Sequence, residues 1–194
     1  MDYAVVSKLV SQETCGNLFI AYMAAGTKLY EEGKYDQALP YIETAHGLQP
    51  ESEEGCKYLY YILRNIGIEF SNAENYQGAL PYFERAIAIQ PSLAEALNNL
   101  FIVHFNLGVA LFTSCRYAEA LPHMEWVYAL KPEVTWRDNL HGLHYLVGSE
   151  LANKNRYAEA LPFLERAHTL RPDLRETRRN LSIAYARYGN TLYL

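Results

Sequence analysis

A chain of 194 residues, half of them apolar and a fifth charged, is long enough to bury a substantial core and too apolar to stay disordered. Its formal net charge of −5 argues against a general nucleic-acid binder, which needs a positive surface to displace counterions from phosphates. The first residues, MDYAVVSK, lack a basic-then-apolar signal pattern, and the most apolar run, 100–112, is interrupted by His104 and Asn106 and falls short of the roughly 20 residues of a membrane span. The expectation is a soluble, cytoplasmic protein with neither a membrane nor a nucleic acid as partner.

Taken in order, the chain alternates two kinds of segment. Leu18, Tyr22, Ala25 and Leu29 step by 4, 3 and 4 residues, the spacing that puts side chains on one face of a helix. A short polar turn, EEGK, leads into YDQALPYIETAHGLQP at Tyr35. The stripe returns as Leu59, Leu63, Ile66 and Phe70 before YQGALPYFERAIAIQP at Tyr76, and as Leu100, His104, Leu107 and Leu111 before YAEALPHMEWVYALKP at Tyr117. Leu140, His144, Val147 and Leu151 precede YAEALPFLERAHTLRP at Tyr157, and Leu181, Tyr185, Tyr188 and Leu192 form the last stripe. The Tyr-initiated segments lie 41, 41 and 40 residues apart and share six residues: the Tyr, an Ala three on, the Leu-Pro after it, a Glu and the closing Pro. A period of that size marks a stacked-repeat architecture. The striped segments are named A helices below, and the Tyr-initiated ones B helices.

Each A helix carries a glycine one residue past its third stripe member: Gly26, Gly67, Gly108, Gly148 and Gly189. A glycine inside a helix costs about 1 kcal/mol relative to alanine, so its return implies a close neighbour. The recurrent Ala38, Ala79, Ala120 and Ala160 of the B helices are the expected small opposing surface. Ile42, Phe83, Met124 and Leu164, four residues on, share the alanines' face. Pro40, Pro81, Pro122 and Pro162 sit early in the B helices, where a missing N–H disrupts little, and Pro50, Pro91, Pro132 and Pro172 close them. Residues 1–9 read either as the remnant of a B helix or as an extended start of the first A helix. Cys15, Cys56 and Cys115 form no CxxC pair and are odd in number, so neither a disulfide framework nor a zinc knuckle is expected; Cys15 and Cys56 read as small packing residues.

The order Gly, then Tyr, Ala, a large apolar residue, a small residue (Ala45, Ala86, Val127, Ala167) and Pro resembles the tetratricopeptide repeat, a helix-turn-helix unit. HEAT and armadillo repeats have similar periods without this order. Two features depart from the family pattern. The large residue four before the glycine is Tyr22, Leu63, His104 or His144 and not Trp, and the period exceeds the usual figure of about 34. The surplus falls between the closing Pro and the next glycine, close to two helical turns or about 10 Å, so it lengthens the A helices at their start and keeps the buried face in register. The resemblance implies an all-α, right-handed superhelical solenoid of antiparallel helix pairs with a lengthened first helix in each repeat. It would be one domain over 1–194, with repeats at about 11–50, 51–91, 92–132 and 133–172 and a final helix over 173–194.

The resemblance further implies that the A helices line a concave groove for a peptide or protein segment. Offsets from each glycine carry the lining over to Met23, Ala24, Thr27 and Tyr30, then to Arg64, Asn65, Ile68 and Ser71. Phe105, Asn106, Val109 and Phe112 follow from the third A helix, and Tyr145, Leu146, Ser149 and Ala152 from the fourth. The expected partner-binding residues are Tyr30, Tyr61, Arg64, Asn65, Ile68, Phe105, Asn106, Val109, Phe112, Tyr145 and Ser149. Aromatic residues and Arg are what binding hot spots favour, although such rings also pack against a neighbouring repeat. A clamp for a peptide carboxylate is not expected, because Met23, Thr27, Ile102, Gly142 and Leu146 bring no charge to its positions.

His141 and His144 stand three apart, a spacing metal sites use, without a carboxylate or thiol placed to complete a ligand set. No metal, cofactor or catalytic residue is expected. Glu43, Glu84, Glu125 and Glu165 read as a solvated helical face, and His46, His123 and His168 as ordinary B-helix residues. Seven acidic residues face Lys34 alone between 31 and 54, whereas five arginines outnumber Asp173 and Glu176 between 171 and 187. The expected function is a non-enzymatic protein-interaction module, an adaptor or scaffold that holds a segment in its groove. The alternative is a scaffold that oligomerises through terminal helices whose Tyr185, Tyr188, Leu192 and Leu194 lack a polar cap.

Overall fold

The structure, a computed structural model, describes residues 3–90 and 94–191, with side chains from residue 13 onward. Pro91, Leu93, Leu192 and Leu194 lie outside the described residues. Among those described, every element is a helix. The A helices are α1 (Tyr3–Glu31), α3 (Glu53–Asn72), α5 (Ala94–Thr113), α7 (Val134–Asn153) and α9 (Arg175–Thr191); the B helices are α2 (Tyr35–Leu48), α4 (Tyr76–Ile89), α6 (Tyr117–Leu130) and α8 (Tyr157–Leu170). Helices α3, α5 and α7 have 20 residues each and every B helix has 14, so the long period does lengthen the A helices. With 29 residues, α1 takes in residues 3–9 as an extended start and not as a separate B helix. The four internal prolines lie within uninterrupted B helices.

Two compact units divide the chain, Met1–Val103 and His104–Leu194, with the division inside α5. In the first, α1 pairs with α2, α3 pairs with α4, and α2 packs on α3. Ile42, Leu59, Ile62, Leu63 and Ile66 make the centre of its core. In the second, α7 pairs with α8, while α6 packs on α7 and α8 on α9. Leu161, Leu164 and Ala184 cluster there. Helix α5 is long and apolar enough to cross a membrane by length and composition. One face of it, carrying Leu100, Val103, His104, Leu107 and Leu111, is buried within the protein.

Each A helix hands over to its B helix through the same turn. The N–H of the third residue past the helix bonds five residues back, Lys34 to Leu29, Asn75 to Phe70, Arg116 to Leu111 and Arg156 to Leu151, all at 2.9 Å. The residue before it sits at positive φ: Gly33 at 73°, Glu74 at 56°, Cys115 at 58° and Asn155 at 60°. This is the Schellman arrangement, in which a left-handed residue lets the chain turn back and satisfy the helix's last carbonyls. Cys115 and Cys15 are exposed, which corrects the packing role expected of Cys15; Cys56 is half-buried and donates to the Pro50 carbonyl at 3.3 Å.

The helical glycines do pack closely, but not against the alanines. A Cβ added to Gly26 would lie 2.5 Å from Ile42 Cδ1, one on Gly67 2.9 Å from the Phe83 ring, one on Gly108 2.8 Å from Met124 Sδ, and one on Gly148 2.7 Å from Leu164 Cγ. The expectation of small facing small is therefore corrected: each glycine is a notch that receives the large residue four past the alanine. Ala38, Ala79, Ala120 and Ala160 are themselves fully buried. The shared glutamates stand on solvated faces, and three of them also reach into the next repeat. Glu43 pairs with Arg85, Glu125 Oε1 lies 3.2 Å from His144 Nε2, and Glu165 accepts from the Tyr185 hydroxyl.

The two terminal A helices depart from the buried stripe. Leu18 is 43% exposed where Leu59, Leu100 and Leu140 are buried, and Tyr185 is 50% exposed where Leu63, His104 and His144 are buried.

Candidate functional site

In the first unit, Tyr30, Tyr61, Arg64, Asn65 and Ile68 are all half-buried. Tyr30 is the hub of a ring cluster, with centroids 5.5 Å from Tyr35, 5.7 Å edge-on from Tyr58 and 6.5 Å from Tyr61. Arg64 forms an ion pair with Glu95 and donates to Asn65 Oδ1 at 3.2 Å. These side chains thus tie one A helix to the next, and Tyr58 and Glu95, absent from the sequence-based set, complete the arrangement. Met23, expected to line a groove, is buried in the core.

In the second unit, Phe105 packs edge-on against Trp136 with centroids 5.1 Å apart, and Asn106 is half-buried. Tyr145 donates to Glu176 Oε1 at 2.7 Å and accepts from Asn180 at 2.8 Å, and Asn180 also donates to Ser149 Oγ at 3.3 Å. Burial and the Glu176 bond both raise the Tyr145 pKa. Tyr145 and Ser149 are therefore largely committed to α9. Val109 and Phe112 are different, being 41% and 43% exposed.

Those two side chains border a cleft of about 340 Å³. Gly108, Val109 and Phe112 of α5 form one wall, Met124 of α6 and Leu143 the base, and Gly142, Tyr145 and Leu146 of α7 the other wall, with Asp138 and Asn139 at one end. An added Cβ on Gly142 would meet nothing within 4 Å, so the cleft owes part of its width to a missing side chain. Asp138 is held ionised, its pKa lowered first by the Arg171 hydrogen bond and then by Arg137. Arg171 Nη1 lies 2.8 Å from Asp138 Oδ1. The base and walls are apolar and the end is polar, as in sites that anchor an apolar side chain and orient what is attached to it. Sequence offsets found Val109, Phe112, Tyr145 and Leu146. They missed Gly142, whose signal was a helical glycine outside the recurring glycine column.

The histidines serve packing. His104 and His123 approach Nδ1 to Nδ1 at 3.0 Å, and the His104 ring stacks on Trp126 at 4.4 Å. Burial, and secondarily His123, lowers the His104 pKa to about 4. Burial, with Arg166 and His141, does the same for His144, so its contact with Glu125 joins a neutral ring and not an imidazolium near neutral pH. His141 Nε2 contacts the buried Thr177 Oγ1 at 2.9 Å. The pair read as a metal spacing is thus divided between two packing contacts.

Residues 141–174 match the tetratricopeptide repeat family. That span holds Gly148, Tyr157, Ala160, Leu164, Ala167 and Pro172, and the same order of residue types recurs at each of the other three B helices. Residues 141–174 are a tetratricopeptide repeat. Asp138 and Asn139, at the end of the cleft, precede the matched span and belong to the lengthening of α7.

No curated protein matches the chain. Among solved structures, similarity extends to MamA residues 41 to the end from Desulfovibrio magneticus RS-1, at 18% identity over 91% of this chain and 94% of that one, with a TM-score of 0.29. It extends to MamA AMB-1, at 20% identity over 88% and 82%, with a TM-score of 0.32. A PilF structure from Pseudomonas aeruginosa overlaps at 16% identity over 92% and 72%, also with a TM-score of 0.32. At such identities and scores nothing known of those proteins transfers to this one. The repeat matched at 141–174 supports a protein-interaction role in general.

Proposed function

We propose that the cleft between α5 and α7 holds a large apolar side chain of a segment from a partner protein. The observation that carries this reading is Gly142, which opens an apolar cleft beside two exposed apolar side chains, Val109 and Phe112. A volume of about 340 Å³ is at the lower end for ligand pockets and suits one or two side chains. Asp138 and Asn139 at the end supply acceptors and donors for the backbone on either side of the anchor. The ring cluster and the Arg64–Glu95 pair of the first unit are spent on intramolecular contacts, which leaves the second unit as the favoured seat of binding.

A random peptide library panned on the protein tests this. Recovered peptides are expected to share a Leu or aromatic anchor and to bind the Gly142→Phe variant at least about tenfold more weakly, because the new ring fills the cleft. Equal binding to wild type and Gly142→Phe would sink the reading. Phe112→Ala is a milder companion, since Phe112 borders the cleft; Phe105→Ala is a poorer probe because it also removes a contact with Trp136.

A further inference from the structure

Six residues before the recurring glycine, the A helices carry Ile20, Tyr61, Ile102, Gly142 and Ile183, so Gly142 stands where the other four have a large side chain. Four residues after the glycine stand Tyr30, Ser71, Phe112 and Ala152. The seam between α1 and α3 shows how the two registers meet. Tyr30 packs on Tyr35 of the following B helix, with centroids 5.5 Å apart and planes at 54°, and stacks on Tyr61 across the seam, with centroids 6.5 Å apart and planes at 29°. Phe112 in the second unit repeats the first of these contacts, lying 5.5 Å from Tyr117 with planes at 58°. The partner for the second is missing. Where α3 has Tyr61, α7 has Gly142, an added Cβ there meets nothing within 4 Å, and Phe112 is left 43% exposed at the border of the cleft.

We propose that the cleft is a site for an aromatic ring, stacked on Phe112 in the space that the Tyr61 side chain takes in the first unit. The proposal rests on the cleft being the binding site and adds the chemistry of what enters it. The vacancy lies between α5 and α7 and follows from Gly142. The chain's own seams favour a ring over an aliphatic group. Tyr61 meets the ring of Tyr30, whereas Ile102 and Ile183 share their registers with Ser71 and Ala152, which have no face to stack on. Phe112 offers a ring held on Tyr117 as Tyr30 is held on Tyr35, so the group that complements it is a second ring. Stacked and tilted ring pairs attract beyond the apolar area they bury, which gives a ring the advantage over an aliphatic group of equal size.

The test titrates the whole protein, with isotope-labelled methionine methyl groups, with p-cresol and with its ring-saturated analogue methylcyclohexanol, followed by NMR. Met124 reports on the base of the cleft, and Met23, buried in the core of the first unit, is the internal reference. p-Cresol is expected to move the Met124 signal saturably, to leave Met23 in place, and to bind about three- to tenfold more tightly than methylcyclohexanol. Phe112→Leu keeps the wall apolar and should erase that preference. Gly142→Tyr supplies the ring from within the chain and should abolish binding of both compounds. Circular dichroism checks that both variants keep their helices, as an exposed Phe112 and an open Gly142 allow. Equal affinity for the two compounds, or a preference that survives in Phe112→Leu, overturns the proposal and leaves the cleft as a binding site. No saturable shift with either compound overturns it as well, and the cleft then stands or falls on the library peptides and Gly142→Phe.

Discussion

His104 and Glu74 show how single residues carry costs that the repeat imposes on them. His104 occupies a stripe position filled by Leu63 in the preceding repeat, and burial there holds its pKa at about 4, as it does for His144. An unfolded imidazole titrates near 6.5. Between those values the unfolded chain binds more protons, so stability is complete above the unfolded pKa and falls as pH drops toward the folded one. Lowering the pH from 7.5 to 5 is expected to cost about 2 kcal/mol for each of the two histidines. His104→Leu should remove its share of that slope, read from urea unfolding at both pH values. Glu74 and Cys115 sit at positive φ, where a side chain costs about 1–2 kcal/mol, part of which glycine returns as entropy lost on folding. Glu74→Gly and Cys115→Gly should each stabilise by about 0.5–1 kcal/mol in the same assay. Glu133→Gly, outside these turns, should not.

At the scale of the element, the unit of stability is the notch and its filler. Gly148 has Leu164 Cγ at 2.7 Å and the Leu164 backbone nitrogen at 3.2 Å from an added Cβ, so the neighbour has little room to yield. Gly148→Ala is expected to destabilise by about 1–3 kcal/mol, overpacking outweighing the gain in helix propensity. Gly189→Ala makes the same chemical change on an open face and should stabilise by up to about 1 kcal/mol. Thermal unfolding of the two variants therefore shifts in opposite directions. A common sign would show that the notch does not set the spacing of the pair.

Across the whole molecule, stability and binding are carried by different residues. Gly142 lies outside every notch, so Gly142→Phe should leave the unfolding midpoint at or above the wild-type value while it removes binding at the cleft. Ile42→Ala does the reverse. It empties the notch at Gly26 in the first unit, at an expected cost of about 2–5 kcal/mol, yet the cleft is built entirely from residues of the second unit. Library peptides that bind wild type should keep their affinity for Ile42→Ala within about twofold at a temperature where that variant remains folded.

The helices, their order and their repeat were legible in the sequence, because a stripe stepping by 4, 3 and 4 and a proline at each closing position are local statements about 3.6-residue periodicity and backbone sterics. So was the lengthening of α3, α5 and α7, since a surplus near two turns has to lie where the buried face stays in phase. Pairing across helices was not legible. Spacing showed that glycine, alanine and Ile42, Phe83, Met124 or Leu164 line up, but which of them meet depends on the depth and offset of one helix against another. That offset put the large residues, and not the alanines, into the notches. Offsets from the glycine likewise located Val109 and Phe112, while Tyr30, Arg64, Phe105 and Tyr145 proved to be held by Tyr58, Glu95, Trp136 and Glu176, partners from distant sequence. Sequence by itself determined the repeat and the face each helix buries; tertiary structure alone decided which notch is filled and which cleft stays open, because a void is set by the separation of packed helices and not by the residues along either one.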